Sequence, residues 1–384
     1  AFAIDPANPK NAQFFADNGL DAAATQGLGE AAYAYYRFSN VGPRDNYVTD
    51  MTGSLNLGFE GTVTTESVGD MQWNAGYMYS KTDNKSRGTG YVLNPAVQQE
   101  VDSGNFKNGE FSSDATNSLS YDTSRTSKMD FFQWYGGLGW SMGELPAGPI
   151  GWYLGAEYND WVYADKYDAQ SEAGNIIGSS GNSSGGVRDV TAAYIESLVP
   201  ITDEIELNVA GRFDKYSDFG SAFSPKTSLR YQPLDNLMLR TSWSRSFRAP
   251  SLSDLYAADS FSADWAKDYV YCEANGISAA DCPNRQYDTT RTANEDLKEE
   301  TADTWNFGVA YSPVDDLNLS LDYYTIKIKD VIQLNSLQSV IYDELNSGSS
   351  SSITRNSQGK ISNAIAPMVN LGTLETSGLD LKVD

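Results

Sequence analysis

In stretch after stretch of this chain, apolar and polar side chains alternate with a period of two residues. That period belongs to the β-strand, whose successive side chains point to opposite faces. Over 205–213, Ile205, Leu207, Val209 and Phe213 fall on one face, and Glu206, Asn208 and Arg212 fall on the other. Residues 237–245 set Leu237, Leu239 and Trp243 against Arg240, Ser242 and Ser244. Trp305, Phe307, Val309 and Tyr311 alternate with Asn306, Gly308 and Ala310, and Leu317, Leu319, Leu321 and Tyr323 with Asn318, Ser320 and Asp322. Earlier runs repeat the pattern around Leu55–Phe59, Trp73–Tyr79, Phe132–Trp140 and Ile150–Tyr158, and a last run holds Leu379, Leu381 and Val383. Roughly a dozen such strands are expected, most about 10 residues or longer, the length that crosses a bilayer at a tilt. Strands of soluble domains are nearer about 5 or 6 residues.

The connections alternate in length. Short turns are expected at 143–148, 200–204, 233–236 and 313–316, where Pro, Asp, Asn and Gly supply the turn chemistry. Long polar loops are expected near 82–127, 164–186, 249–297 and 331–373, with 217–223 the one short connection on their side. Soluble domains rarely carry several structureless loops beyond about 15 residues. Outer-membrane barrels pair short periplasmic turns with long extracellular loops. The expected fold is therefore all-β, a transmembrane antiparallel up-and-down β-barrel.

Composition agrees with that reading and removes others. The mean hydropathy is −0.45, and no apolar run approaches the roughly 18 residues of a spanning helix. This excludes a helical membrane protein and leaves a barrel open, because alternating strands average out hydrophilic. Tyr (24) and Trp (8) together outnumber Phe (15). Their amphipathic rings suit a membrane–water interface, and a Tyr-rich soluble β protein would show them as well. A net charge of −24 repels nucleic acid, and no basic stripe is present. The acids of the loops either attract cations or keep the loops solvated. The chain has no His, which removes Ser-His-Asp and Cys-His mechanisms and His-ligated metal sites, so no enzyme is expected.

Cys272 and Cys282 lie in one polar loop. They form either a small disulfide-closed loop, worth about 3 kcal/mol in the chain-entropy model, or a pair of free thiols. Trp265, Tyr269 and Tyr271 beside them are candidate substrate contacts, because aromatics stack on flat ligands and a crosslink lowers the ordering cost. Local loop packing is the competing role for these rings. No resident cofactor is expected; Ca²⁺ held by loop carboxylates is the metal such loops would take.

Residues 236–256 carry the most specific pattern. A strand runs into Phe247, Arg248, Ala249, Pro250 and Ser251, followed by Asp254, Leu255 and Tyr256. Asn294, Leu297 and Glu300 lead into Trp305, and Asp322, Tyr323 and Tyr324 lead to Asp330 and Ile332. The run 377–381 closes on Asp380 where a Glu is usual. In this order these elements resemble the β-barrel of TonB-dependent receptors. The motifs cover about 186–384; residues 1–185 agree by pattern alone. Phe247 to Tyr256 are expected to shape the barrel rim: Pro ends ladder pairing and Arg pairs with neighbouring loop acids.

The resemblance implies a barrel of about 22 strands plugged by an N-terminal domain. On that reading residues 1–384 are part of one barrel domain, without the plug and without the first and last strands. No signal-peptide pattern opens the chain and its end lies within a strand-like run, so it reads as a piece of a longer protein. The resemblance further implies energised uptake of a scarce nutrient across the bacterial outer membrane: a siderophore, cobalamin, an oligosaccharide or a peptide. The implied partners are outer-membrane lipid and lipopolysaccharide, the nutrient, and the TonB protein of the TonB–ExbB–ExbD system acting through the plug. A surface lipoprotein or another envelope protein is a further candidate partner. A passive porin or an adhesin is the alternative.

Overall fold

The alternating stretches hydrogen-bond side by side into one antiparallel sheet of 11 strands. The computed structural model describes residues 2–27, 32–34, 36–179 and 181–384. The wall strands are β1 (Asp45–Thr65), β2 (Gly69–Val92), β3 (Ser120–Leu145), β4 (Gly148–Tyr167), β5 (Ser184–Pro200) and β6 (Ile205–Tyr216). They continue as β7 (Ser221–Leu234), β8 (Leu237–Arg248), β9 (Glu300–Val314), β10 (Leu317–Lys329) and β11 (Thr373–Val383). Each pairs with the next in chain order, which is an up-and-down meander with β1 and β11 at its edges. The fold is that of a transmembrane β-barrel wall.

Register explains why the faces stay sorted. Tyr77 opposes Trp134, Trp243 opposes Trp305, and Phe307 opposes Tyr323, so large rings meet rings across neighbouring strands. The Tyr77 and Trp134 rings lie 4.6 Å apart. A slip of one residue would turn every strand inside out, and these pairs oppose it. The register shifts near the short turns, between Tyr231 and Leu234 and between Tyr311 and Val314. Pro233 and Pro313 lie in those intervals, and a proline cannot donate to the ladder.

The apolar face is uncovered. Trp134 is 60 % exposed and Phe307 is 49 % exposed. An apolar surface this extensive is costly in water and favourable against lipid acyl chains. The opposite face is polar and carries ion pairs: Arg240 with Asp322 at 2.6 Å, and Arg212 with Glu157 at 2.9 Å. Tyrosines lie flat over glycines there. The Tyr135 ring covers Gly76, Tyr153 covers Gly137 and Tyr194 covers Gly155, so a Cβ at any of these glycines would strike a ring. Glycine is required at these positions by close approach.

Two expectations about connections are corrected. The long loop near 82–127 is shorter than expected, because β2 runs on to Val92 and β3 starts at Ser120. Alternation fades there since both faces of this extended hairpin are polar, while its backbone still pairs from Tyr91 with Tyr121 downwards. The long loops are also not structureless. Residues 249–299 and 330–372 contain strands, helices and a sheet of their own. A fifth short turn, 66–68, joins β1 to β2.

The conventional cores lie at the long-loop end. Phe2, Ile4 and Phe15 from the N-terminal stretch pack against Val97, Val101, Phe106, Phe111 and Leu119 of the 93–119 connection. A second core joins Ala266, Leu337, Val340, Ile341, Ile353 and Ala364.

Candidate functional site

The rim where β8 leaves the wall gathers the motifs that lie far apart in sequence. Arg248, the last residue of β8, donates to both Glu300 carboxylate oxygens, at 2.9 and 2.6 Å. Glu300 opens β9, and its Oε1 also accepts the Ile332 N–H at 2.6 Å. A bidentate guanidinium–carboxylate pair fixes both distance and angle. Strand exit, strand entry and the start of the 330–372 loop are thereby tied together.

Pro250 is buried, and its carbonyl accepts from Arg188 at 2.7 Å. Arg188 also meets Asp218 at 2.6 Å and lies over the Tyr216 ring. Phe247 meets Tyr216 edge-on at 5.9 Å, while Ala249 is half-buried between Arg248 and Pro250. The helix Leu252–Tyr256 follows, opened by a capping box in which Ser251 and Asp254 satisfy each other's backbone N–H. Leu255 is buried with Leu297 and Ile332, and Tyr256 and Met368 pack on this cluster. Asn294 donates its backbone N–H to the Asp254 carbonyl and its side-chain amide to the Met368 carbonyl, both at 2.9 Å.

Above the rim stands a folded loop module. Strands Ser260–Lys267 and Asn284–Thr292 form a hairpin, and Ile361–Asn370 joins it in parallel. The helix Leu337–Ser347 packs on this sheet through Leu337, Val340 and Ile341. Arg355 links the module's pieces. It donates to both oxygens of Asp268 and both of Glu344, at 2.7 to 2.9 Å. Pairing with Glu344 and Asp268 outweighs burial and drives the guanidinium still further from deprotonation. Asp268 caps the helix Tyr269–Ala274 as well. Burial, together with the nearby Asp268 carboxylate, pushes the Tyr287 hydroxyl up.

Cys272 and Cys282 are joined in a disulfide that closes the segment after that helix. Tyr269 stacks on Tyr342 at 5.4 Å, and the two help to line a cleft of about 390 Å³ with Glu273, Ile277 and Leu345. The three aromatic candidates do not converge. Tyr269 lines the cleft, Trp265 stands 63 % exposed on the hairpin's edge strand, and Tyr271 lies near Gly359.

Tyr342, Leu345 and the Arg355 pairs were not legible as part of a site. The helix holding Tyr342 did carry a signal: Ser336 as N-cap, then Leu337, Val340 and Ile341 on one face, and Gly348 as the left-handed stop. A second recess of about 630 Å³ lies on the polar face of the wall, between Arg230, Arg240, Glu206, Asp322 and Asp380. Among the described residues, no three His, Cys, Asp or Glu gather in a metal-holding arrangement, and no site is assigned to calcium.

This geometry defines a class, a lipid-facing barrel wall with folded loops at one end. The family described as "TonB dependent receptor-like, beta-barrel" matches residues 8–384, and the chain belongs to that family. The probable TonB-dependent siderophore receptor PirA of Acinetobacter baumannii is 27 % identical over 144 residues, which are 37 % of this chain and 17 % of that protein. The crystal structure of the siderophore receptor PirA from Acinetobacter baumannii superposes with a TM-score of 0.57 at 19 % identity, covering 88 % of this chain and 42 % of that one. The hemophore receptor HasR of Serratia marcescens, solved as a double mutant with its hemophore HasA and heme, superposes with a TM-score of 0.55 at 14 % identity, covering 88 % of this chain and 46 % of that one. At these identities the superpositions speak for the fold. The chain spans less than half the length of these relatives.

Proposed function

We propose that this chain supplies wall strands and recognition loops to a receptor for TonB-driven uptake of a scarce nutrient across the bacterial outer membrane. The observation that carries this reading is the pairing of an uncovered apolar wall with structured loops at one end only. The short turns then face the periplasm and the long loops face outward. The nutrient class placed first is a siderophore, supported by the name of the 27 % identical relative. The rim residues Phe247 to Tyr256 act as structure: Arg248 is held by Glu300, the Pro250 carbonyl by Arg188, and Ser251 and Asp254 cap one helix. Substrate contact falls on the loop module, at the exposed Trp265 ring and the Tyr269–Tyr342 cleft.

The test is uptake of labelled ferric siderophores, cobalamin and oligosaccharides by cells expressing the full-length protein, with and without TonB. Accumulation of one nutrient class that is lost without TonB, and weakened by Trp265→Ala or Tyr269→Ala, supports the reading. Uptake that persists without TonB would indicate a passive pore.

A further inference from the structure

The cleft beside the disulfide has a charge character of its own. Tyr269 and Tyr342 stack with ring centroids 5.4 Å apart and planes 25° from parallel, and both line the cleft. Ile277, Ala279 and Leu345 supply apolar lining, and of the lining side chains Glu273 alone is charged. Tyr342 is 45 % exposed and Glu273 is exposed as well. These rings are not spent on a core; they stand open to a ligand.

Both walls of the cleft come from segments that carry acids and no bases. Residues 268–282 hold Asp268, Glu273 and Asp281, the helix Leu337–Ser347 holds Asp343 and Glu344, and neither segment holds a Lys or an Arg. Arg355 neutralises Asp268 and Glu344. Among the described residues the other three carboxylates stand in no ion pair. Asp281 accepts the Ser278 hydroxyl at 2.6 Å, which leaves its charge in place. Lys267 lies near Tyr342 but does not line the cleft. Residues 249–299 and 330–372 together hold thirteen acids and six bases, so the module as a whole repels a polyanion and draws a cation.

We infer that this cleft recognises an organic cation, an ammonium or guanidinium group on the bound nutrient, with the Tyr269–Tyr342 pair as its aromatic face and Glu273 as its counter-ion. The face of an aromatic ring is its negative side, and it attracts a cation held within about 6 Å of the ring centroid. A carboxylate lining the same cleft adds a second attraction of the same sign. An anionic group would be disfavoured by the ring faces and by Glu273 alike. The volume of about 390 Å³ lies at the small end of ligand pockets, which span roughly 300–1,000 Å³, so the cleft takes one charged arm of a larger nutrient. The disulfide and the ring stack order both walls beforehand, which lowers the cost of binding. The inference rests on the substrate contact at the loop module proposed above and adds the charge of the group received there.

The experiment uses the full-length receptor purified in detergent and four small probes: choline, methylguanidinium, the neutral choline isostere 3,3-dimethylbutanol, and the anion 3,3-dimethylbutyrate. Binding is read by saturation-transfer NMR. The two cations are expected to bind about fivefold or more tightly than the alcohol, and the anion is expected to bind least. Tyr342→Leu and Glu273→Gln are each expected to weaken cation binding about fivefold. Tyr342→Phe, which keeps the ring face, and Glu295→Gln, outside the cleft, are expected to retain it. Equal binding of the alcohol would overturn the inference, as would unchanged cation binding in Tyr342→Leu or Glu273→Gln. If Tyr342→Leu does not fold, Glu273→Gln and the preference of wild-type protein among the probes decide. Failure of the substrate-contact reading would show separately, as selective cation binding in vitro together with nutrient uptake by cells that Glu273→Gln leaves unchanged.

Discussion

The wall and the loop module of this chain solve opposite burial problems. In the wall, Trp134 and Phe307 look outward, and ion pairs such as Arg240 with Asp322 look inward. In the module, Ile341 and Val340 are buried, as in the core of a soluble domain. The same residue types are sorted in opposite directions because two solvents surround one chain. Ion pairs follow the difference. Arg240 and Asp322 on the wall are 49 % and 32 % exposed. Arg355, Asp268 and Glu344 in the module are 17 %, 5 % and 10 % exposed. The comparison teaches that a pair's energetic weight follows from what encloses it.

That contrast can be broken most directly at the ion pairs. Arg355→Met leaves two enclosed carboxylates without a cation and is expected to cost about 3–5 kcal/mol. Arg240→Met removes a wet pair and is expected to cost less than about 1 kcal/mol. Hydrogen exchange on the full-length protein, read separately in the module and the wall, measures both. Equal losses would show that enclosure does not govern these pairs.

A charge on the outward face tests the lipid assignment. Phe307→Arg, between Trp305 and Tyr311, is expected to destabilise the inserted barrel by about 2–4 kcal/mol in refolding titrations with vesicles. Tyr342→Arg, on the exposed side of a loop helix, is expected to cost about 0.5 kcal/mol or less. The ranking reverses if the apolar face of the wall meets water.

The disulfide sharpens the boundary between the regions. Cys272→Ser with Cys282→Ser is expected to loosen the module by at most about 3 kcal/mol. Proteolysis near 272–282 should accelerate while the thermal transition of the wall stays in place. A coupled loss of both would make them one cooperative unit.

The smallest effect is on pH. Burial pushes the Asp168 carboxyl up, but hydrogen bonds from the Ser124 and Ser171 N–H groups and from the Ser171 and Tyr121 hydroxyls outweigh it and hold the group below its usual range. A lowered folded value contributes stability that is present above the unfolded value of about 3.9 and is lost as pH falls through the folded value. The 168–183 connection is therefore expected to open first on acidification below about pH 4, read as faster hydrogen exchange there. Asp168→Asn should flatten that dependence.

Much of the wall was legible in the residues because strand alternation is local: one face meets lipid, and each side chain reports its own face. Short turns were readable for the same reason, since Pro233 and Pro313 act where they stand. The 331–373 stretch was read as loop although its Leu337–Ser347 helix had a visible cap, face and stop, because polar Ser and Asn runs on either side masked it. The 82–127 stretch failed differently: its strands continue where both faces are polar, and no period remains to mark them.

By itself, then, the sequence determined strand period, face, turn chemistry and the order of its motifs, all set by the backbone and by neighbours in the chain. Only the tertiary structure decided that Arg248, Glu300 and Ile332 meet at one rim, that Arg355 closes on Asp268 and Glu344, and that Tyr269 meets Tyr342. Those partnerships depend on strand register and on loops folding back across 11 to 87 residues, and no local pattern encodes which residue arrives.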